Sequence, residues 1–90
     1  MSKEIVRALR VLCPGHIEDI IVKAGLDDRQ AALVRMRFIQ HMSVPAVCLA
    51  LYISPETYHR IKKSILLKIK SYLFYLRVVD EDNPILLFFS

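Results

Sequence analysis

Apolar residues recur along most of the chain at intervals of three and four, the period of a helix that faces a core. Ile5, Leu9 and Leu12 make one stripe of a first helix from about Lys3 to Leu12, which Pro14-Gly15 ends. Ile17, Ile20, Ile21 and Ala24 make the inner side of a short second helix, and Gly25 stands where a left-handed C′ stop is wanted. A third helix starts after Asp27. Its carboxylate suits an N-cap, and Gln30 three residues on completes a capping-box variant. Leu33, Val34, Met36, Phe38 and Ile39 then give that helix an apolar face as far as about His41.

Ser43 is the next cap, with Pro45 in the first turn of "PAVCLALY". That helix is short and apolar on most sides, so it is expected to be buried on two faces. A tight break at Tyr52-Ile53 leads to Ser54, whose hydroxyl suits an N-cap, and Pro55, which suits the first helical position. The helix that follows runs to about Arg77. "VVDEDNP" reads as a turn and "ILLFFS" as an apolar tail. Two glycines and no Asn-Gly or Asp-Gly pair leave strands little punctuation. The expectation is an all-α small domain of about five helices: an N-terminal helical pair over 1–25, a core over 26–77 and the tail over 78–90.

Two short helices joined by about three residues, the second opened by Ser-Pro, make a helix-turn-helix. Projected at about 100° per residue, the last helix shows two sides. Tyr58, Ile61, Ile65, Ile69, Tyr72 and Leu76 share an inner stripe. Arg60 and Lys63 point outward, flanked by Glu56 and His59, and further along that outer side come Leu67 and Phe74. After Glu56 the next acid is Asp80, so Arg60, Lys62, Lys63, Lys68, Lys70 and Arg77 go unopposed within the helix. Such a face is either solvated or meets an anion.

Composition narrows the partners. At 90 residues and 54% apolar, with a mean hydropathy of +0.36, the chain has more apolar surface than a small core needs. No run approaches a membrane span, and the charged N-terminus is unlike a signal peptide. A second copy of the chain is the simplest destination for the surplus. A net charge of +4 and a pI near 9.3 suit a nucleic-acid binder. Cys13 and Cys48 lack CxxC spacing and sit among apolar residues, as reduced core thiols of a cytoplasmic protein would. Cys13 and His16 have the spacing of half a zinc site, but too few further Cys or His follow for a metal, and no cofactor is expected. No nucleophile beside a base, glycine-rich phosphate loop, HExxH or carboxylate pair points to an enzyme.

From Leu26 to about Ile69 the chain resembles the −35-reading domain of bacterial sigma factors. The residues are "LDDRQAALVRMRFIQHMS", then "VPAVCLALYISPETYHRIKK". The stretch "SPETYHRIKKSILLKI" is also similar to phage late-gene regulators of the ArpU/RinA type. His41 and Tyr52 stand where those families often use glycine, and Pro45 where they carry an acid. The resemblance implies a transcriptional regulator that binds double-stranded DNA.

Carried over by motif position, the base-reading candidates are Glu56, Thr57, His59, Arg60 and Lys63. Arg60 leads, because a guanidinium fork takes guanine O6 and N7 together. Glu56 suits a cytosine amino group or, equally, the positive end of the helix dipole. Lys62, Lys63 and Lys68 are phosphate candidates, and Ser43 and Ser54 are caps that can also meet phosphates. Arg35 and Arg37 either flank the DNA backbone or are solvated. Leu67, Phe74, Phe88 and Phe89 are candidates for a homodimer interface. The main alternative is a protein-binding module that grips RNA polymerase or a host protein through that same apolar surface. Membrane-surface binding by the basic helix and aromatic tail is the weaker one.

Overall fold

The computed structural model describes residues 2–89. Met1 and Ser90, which end the expected helical pair and tail, lie outside the described residues. Within them the regular structure is helical throughout: α1 (Ser2–Val11), α2 (Pro14–Lys23), α3 (Asp28–Val34) with a π-helical continuation (Arg35–Ile39), α4 (Val44–Leu51), α5 (Pro55–Val79) and a 3-10 segment (Pro84–Phe89). α5 is about 37 Å long at the usual rise per residue, nearly the 39 Å long axis of the molecule, and the other elements pack along it.

Local chemistry sets the helix starts. Asp27 and Gln30 close a full capping box: the Gln30 N–H donates to Asp27 Oδ1 at 2.8 Å, and the Asp27 N–H donates to Gln30 Oε1 at 3.1 Å. Ser43 Oγ accepts from the Ala46 N–H and Ser54 Oγ from the Thr57 N–H, each at 3.2 Å. Pro14 occupies the first turn of α2, so the Pro14-Gly15 pair opens this helix as well as closing the one before. The proline has no N–H to lose there and its φ is already helical.

Three helix ends turn on a left-handed residue: Gly25 (φ 73°), His41 (φ 57°) and Tyr52 (φ 56°). At the first, the Leu26 N–H reaches the Ile21 carbonyl and the Gly25 N–H the Val22 carbonyl, the paired bonds of a Schellman end. Tyr52 does the same for α4, with the Ile53 N–H on the Cys48 carbonyl at 3.0 Å. At His41 and Tyr52 the chain accepts the steric cost of a Cβ in the left-handed region.

Every helix contributes to one apolar core. Ile5 and Leu9 of α1, Leu12 just after it, Ile17 and Ile20 of α2, Leu33 and Val34 of α3, Val47 of α4, and Tyr58, Ile65, Ile69, Leu73 and Leu76 of α5 are all buried in it. Two expectations are corrected. α4 is not buried on two faces: Val47 and Cys48 are covered, but Leu49 is 78% exposed, because the main neighbours of α4 are the π-helical continuation of α3 and α5. Cys13 is exposed at the α1–α2 junction, whereas Cys48 is a buried thiol. The apolar tail packs on its own chain. Its 3-10 segment folds back on α1 and α5, burying Ile85 and Phe89, with the Asn83 side chain accepting the Ile85 N–H at 3.0 Å to start it.

Candidate nucleic-acid interface

α4, the three-residue turn Tyr52-Ile53-Ser54 and α5 form a helix-turn-helix, and its second helix is aimed by its own buried side. Tyr58 is buried in the first full turn of α5. Burial pushes the Tyr58 phenol pKa up from its ordinary value, against the pull of the nearby Arg37 cation. Arg37 donates to the Met42 carbonyl at 3.2 Å, and its guanidinium lies over the Phe38 ring at 5.9 Å. One arginine thus ties the end of α3, the turn at His41 and the start of α5. It is a support of the helix rather than the free backbone-flanking cation considered from the sequence.

With Tyr58 held inward, Glu56, His59, Arg60 and Lys63 project outward and are exposed. Among the described residues none of Glu56, Arg60 and Lys63 has an ion-pair partner. His59 stands edge-on to the Tyr58 ring, centroids 5.4 Å apart. Thr57 is half-buried, and its Oγ1 accepts from the Ser54 hydroxyl at 3.0 Å, so the first turn is closed on itself. Lys62 is half-buried on the flank towards α1.

Two other basic candidates are engaged within the fold. Lys68 Nζ donates to Gln30 Oε1 at 2.7 Å and to the Gly25 carbonyl at 3.2 Å, which turns it away from the outer face. Arg35 forms a two-bonded pair with Glu18, both distances 2.8 Å. That pair holds the Glu18 carboxyl below its usual range and the guanidinium above its own. A second ion pair, Lys23–Asp19 at 3.1 Å, is a surface i,i+4 pair on α2 and raises the lysine pKa.

Towards its C-terminus the outer face of α5 becomes apolar. Leu67, Phe74, Tyr75, Val78 and Val79 are exposed, Phe74 by 69%. A cleft of about 740 Å³ opens beside them, between Lys23 and Ala24 of α2 and Leu67, Tyr72, Tyr75 and Leu76 of α5. Of the four residues expected at a dimer interface, Leu67 and Phe74 share this face. Phe88 lies elsewhere, edge-on to His16 at 6.2 Å, and Phe89 is only 5% exposed inside the core, where Arg77 donates to its carbonyl. Phe89 therefore serves its own chain.

Sequence reasoning passed over three cations of α1. Lys3, Arg7 and Arg10 line, with Val6, a groove of about 390 Å³ whose far wall is Lys62 and Leu66 of α5. Their i, i+4, i+7 spacing opposite the Ile5–Leu9–Leu12 stripe was the available signal. Among the described residues no three His, Cys, Asp or Glu side chains gather as a metal site, and no helix is long and apolar enough to cross a membrane. No protein-family model, curated protein or solved structure matches the chain.

Proposed function

We propose that the protein is a sequence-specific DNA-binding transcriptional regulator, which reads the major groove with α5 from Ser54 onward and acts as a homodimer. The observation that carries this reading is the two-part outer face of α5. Its first turns present Glu56, His59, Arg60 and Lys63 without intramolecular ion pairs, and its later turns present Leu67, Phe74, Tyr75 and Val78. A helix entering the major groove needs its N-terminal side chains free for base edges, while the phosphates on either side take the flanking cations. Arg60, in the second turn, offers the planar fork that suits guanine.

The dimer follows from spacing as well as from exposed apolar area. Arg60 and Phe74 are about 21 Å apart along the helix. Two copies meeting at Phe74 across a two-fold axis place their Arg60 residues at most about 42 Å apart, which crossing of the helices brings towards the one-turn half-site spacing of about 34–36 Å. The sigma-like resemblance of residues 26–69 and the phage-regulator resemblance of residues 54–69 support the DNA reading.

One observation favours a second reading. The exposed Leu67, Phe74, Tyr75 and Val79 beside the cleft of about 740 Å³ also suit a groove that grips another protein, such as an RNA polymerase subunit. Selection from a random-sequence duplex pool separates the two. Enrichment of a motif supports the regulator, two-fold symmetry in it supports the homodimer, and failure to retain any duplex at low salt sides with the protein-binding module.

A further inference from the structure

The groove between α1 and α5 has a chemistry that the reading helix alone does not explain. Lys3, Arg7 and Arg10 stand at one-turn intervals on one side of α1 and are exposed, and Lys62 faces them from α5. Among the described residues none of the four forms an ion pair or a hydrogen bond to another group. Glu4, the acid of this helix, does not line the groove. The floor is Val6 and Leu66, so four cations surround an apolar base. Close to a low-dielectric surface their attraction for an anion is stronger than in open water.

Like charges held this close repel, and each lysine or arginine could be neutral or acidic without loss to the core, since Ile5, Ala8, Leu9 and Leu12 supply the packing of α1. The arrangement makes physical sense when a polyanion fills it. Lys62 sits at the half-buried edge of α5, one residue before the exposed Lys63, so the groove borders the side of the helix that carries Lys63. The cations of α1 span about 10 Å along the helix axis, a linear array rather than a cup. A linear array of positive side chains, two of them bidentate forks, fits a run of phosphates on one strand and fits a single small anion poorly.

We infer that α1, with Lys62, is a phosphate rail: it seats one backbone strand of the duplex beside the major groove that α5 enters. This rests on the DNA reading above and adds a second element to the interface. The rail positions and does not specify, so its loss weakens all duplexes alike, whereas loss of Arg60 removes discrimination.

The test is the salt dependence of affinity for two duplexes, one carrying the selected motif and one scrambled, measured between about 50 and 200 mM salt. The variant combines Lys3→Ala, Arg7→Ala and Arg10→Ala. All three side chains are exposed on a helix whose buried stripe is untouched, and thermal unfolding checks the fold. Should that variant be unstable, Arg7→Gln with Arg10→Gln keeps the stems and reads the same quantity. The expected result is a slope of log affinity against log salt that falls by about 0.9 for each phosphate the variant no longer neutralises, with equal weakening on both duplexes. A parent chain that binds DNA while the variant keeps its slope overturns the rail and leaves the reading helix standing. A parent chain that binds no duplex overturns both.

Discussion

The ammonium of Lys68 rests 2.7 Å from the side-chain oxygen of Gln30, the residue that closes the capping box of α3. Gln30 is 6% exposed, and its amide nitrogen donates in turn to Ser64 Oγ at 3.1 Å. A single amide therefore caps one helix and fastens it to two turns of another, while Lys68 also closes the carbonyl of the left-handed Gly25. The pose of α5 depends on this latch, because α3 and the α2–α3 turn are held to it there.

Removing either partner leaves polar groups of a buried or half-buried pair unmet. Lys68→Met is expected to cost about 1–2 kcal/mol of stability, and Gln30→Ala about 2 kcal/mol because the cap goes too. Urea midpoints measure both. The salt slope of DNA binding is expected to stay at the parent value in Lys68→Met, since this lysine is spent inside the fold.

Tyr52 ends α4 at φ 56° and is 94% exposed, so its side chain contributes strain and no packing. Tyr52→Gly is expected to raise the melting temperature by a few degrees, a net gain of about 0.5–1 kcal/mol after the entropy of an added glycine. Gly25→Ala is the converse. Nothing lies within 4 Å of the Cβ it would add, so its expected loss of about 1–2 kcal/mol is conformational. Calorimetry of the two variants reads the same turn geometry with opposite signs.

The homodimer has a direct check in Phe74→Glu. Phe74 is 69% exposed and takes no part in the core, so the variant is expected to fold as the parent does. Sedimentation should show a dimer for the parent and a monomer for the variant. A size unchanged by the substitution means the interface is elsewhere.

Alkali should loosen the start of α5. Burial raises the Tyr58 pKa, so above its ordinary value near 10 the unfolded chain has lost a proton that the folded chain still holds. With fewer protons bound in the unfolded state, stability is flat below that pH and falls as pH rises towards the folded pKa. Denaturation curves between about pH 9 and 11 are expected to show this fall, and Tyr58→Phe should reduce it. (Tyr72, whose phenol is raised by burial too, acts in the same direction.)

What could be read from the sequence was what neighbours in sequence decide. The caps at Asp27, Ser43 and Ser54 rest on bonds three residues long, and the inner stripe of α5 rests on helical period alone. Lys68 and Arg37 were harder. A cation at the edge of a helix looks the same whether it meets a phosphate or a carbonyl, and the Gly25 carbonyl is 43 residues away from Lys68. α4 misled for a related reason: apolar composition states what a helix can bury and says nothing of how many neighbours the topology brings. Phe89 read as surplus because the fold-back of the tail depends on the Asn83 turn, a local signal weaker than five apolar residues in a row. The groove of α1 escaped notice because its fourth cation, Lys62, comes from a helix far along the chain.

The most direct measurement compares the parent and Arg60→Ala on the duplex selected by the parent and on a scrambled one, at the same salt. The account predicts that the parent prefers its motif, and that the substitution removes about 1–3 kcal/mol of that preference while nonspecific affinity stays nearly level. Equal binding of both duplexes by the parent, or a preference that survives in Arg60→Ala, would contradict the claim that α5 reads DNA through Arg60.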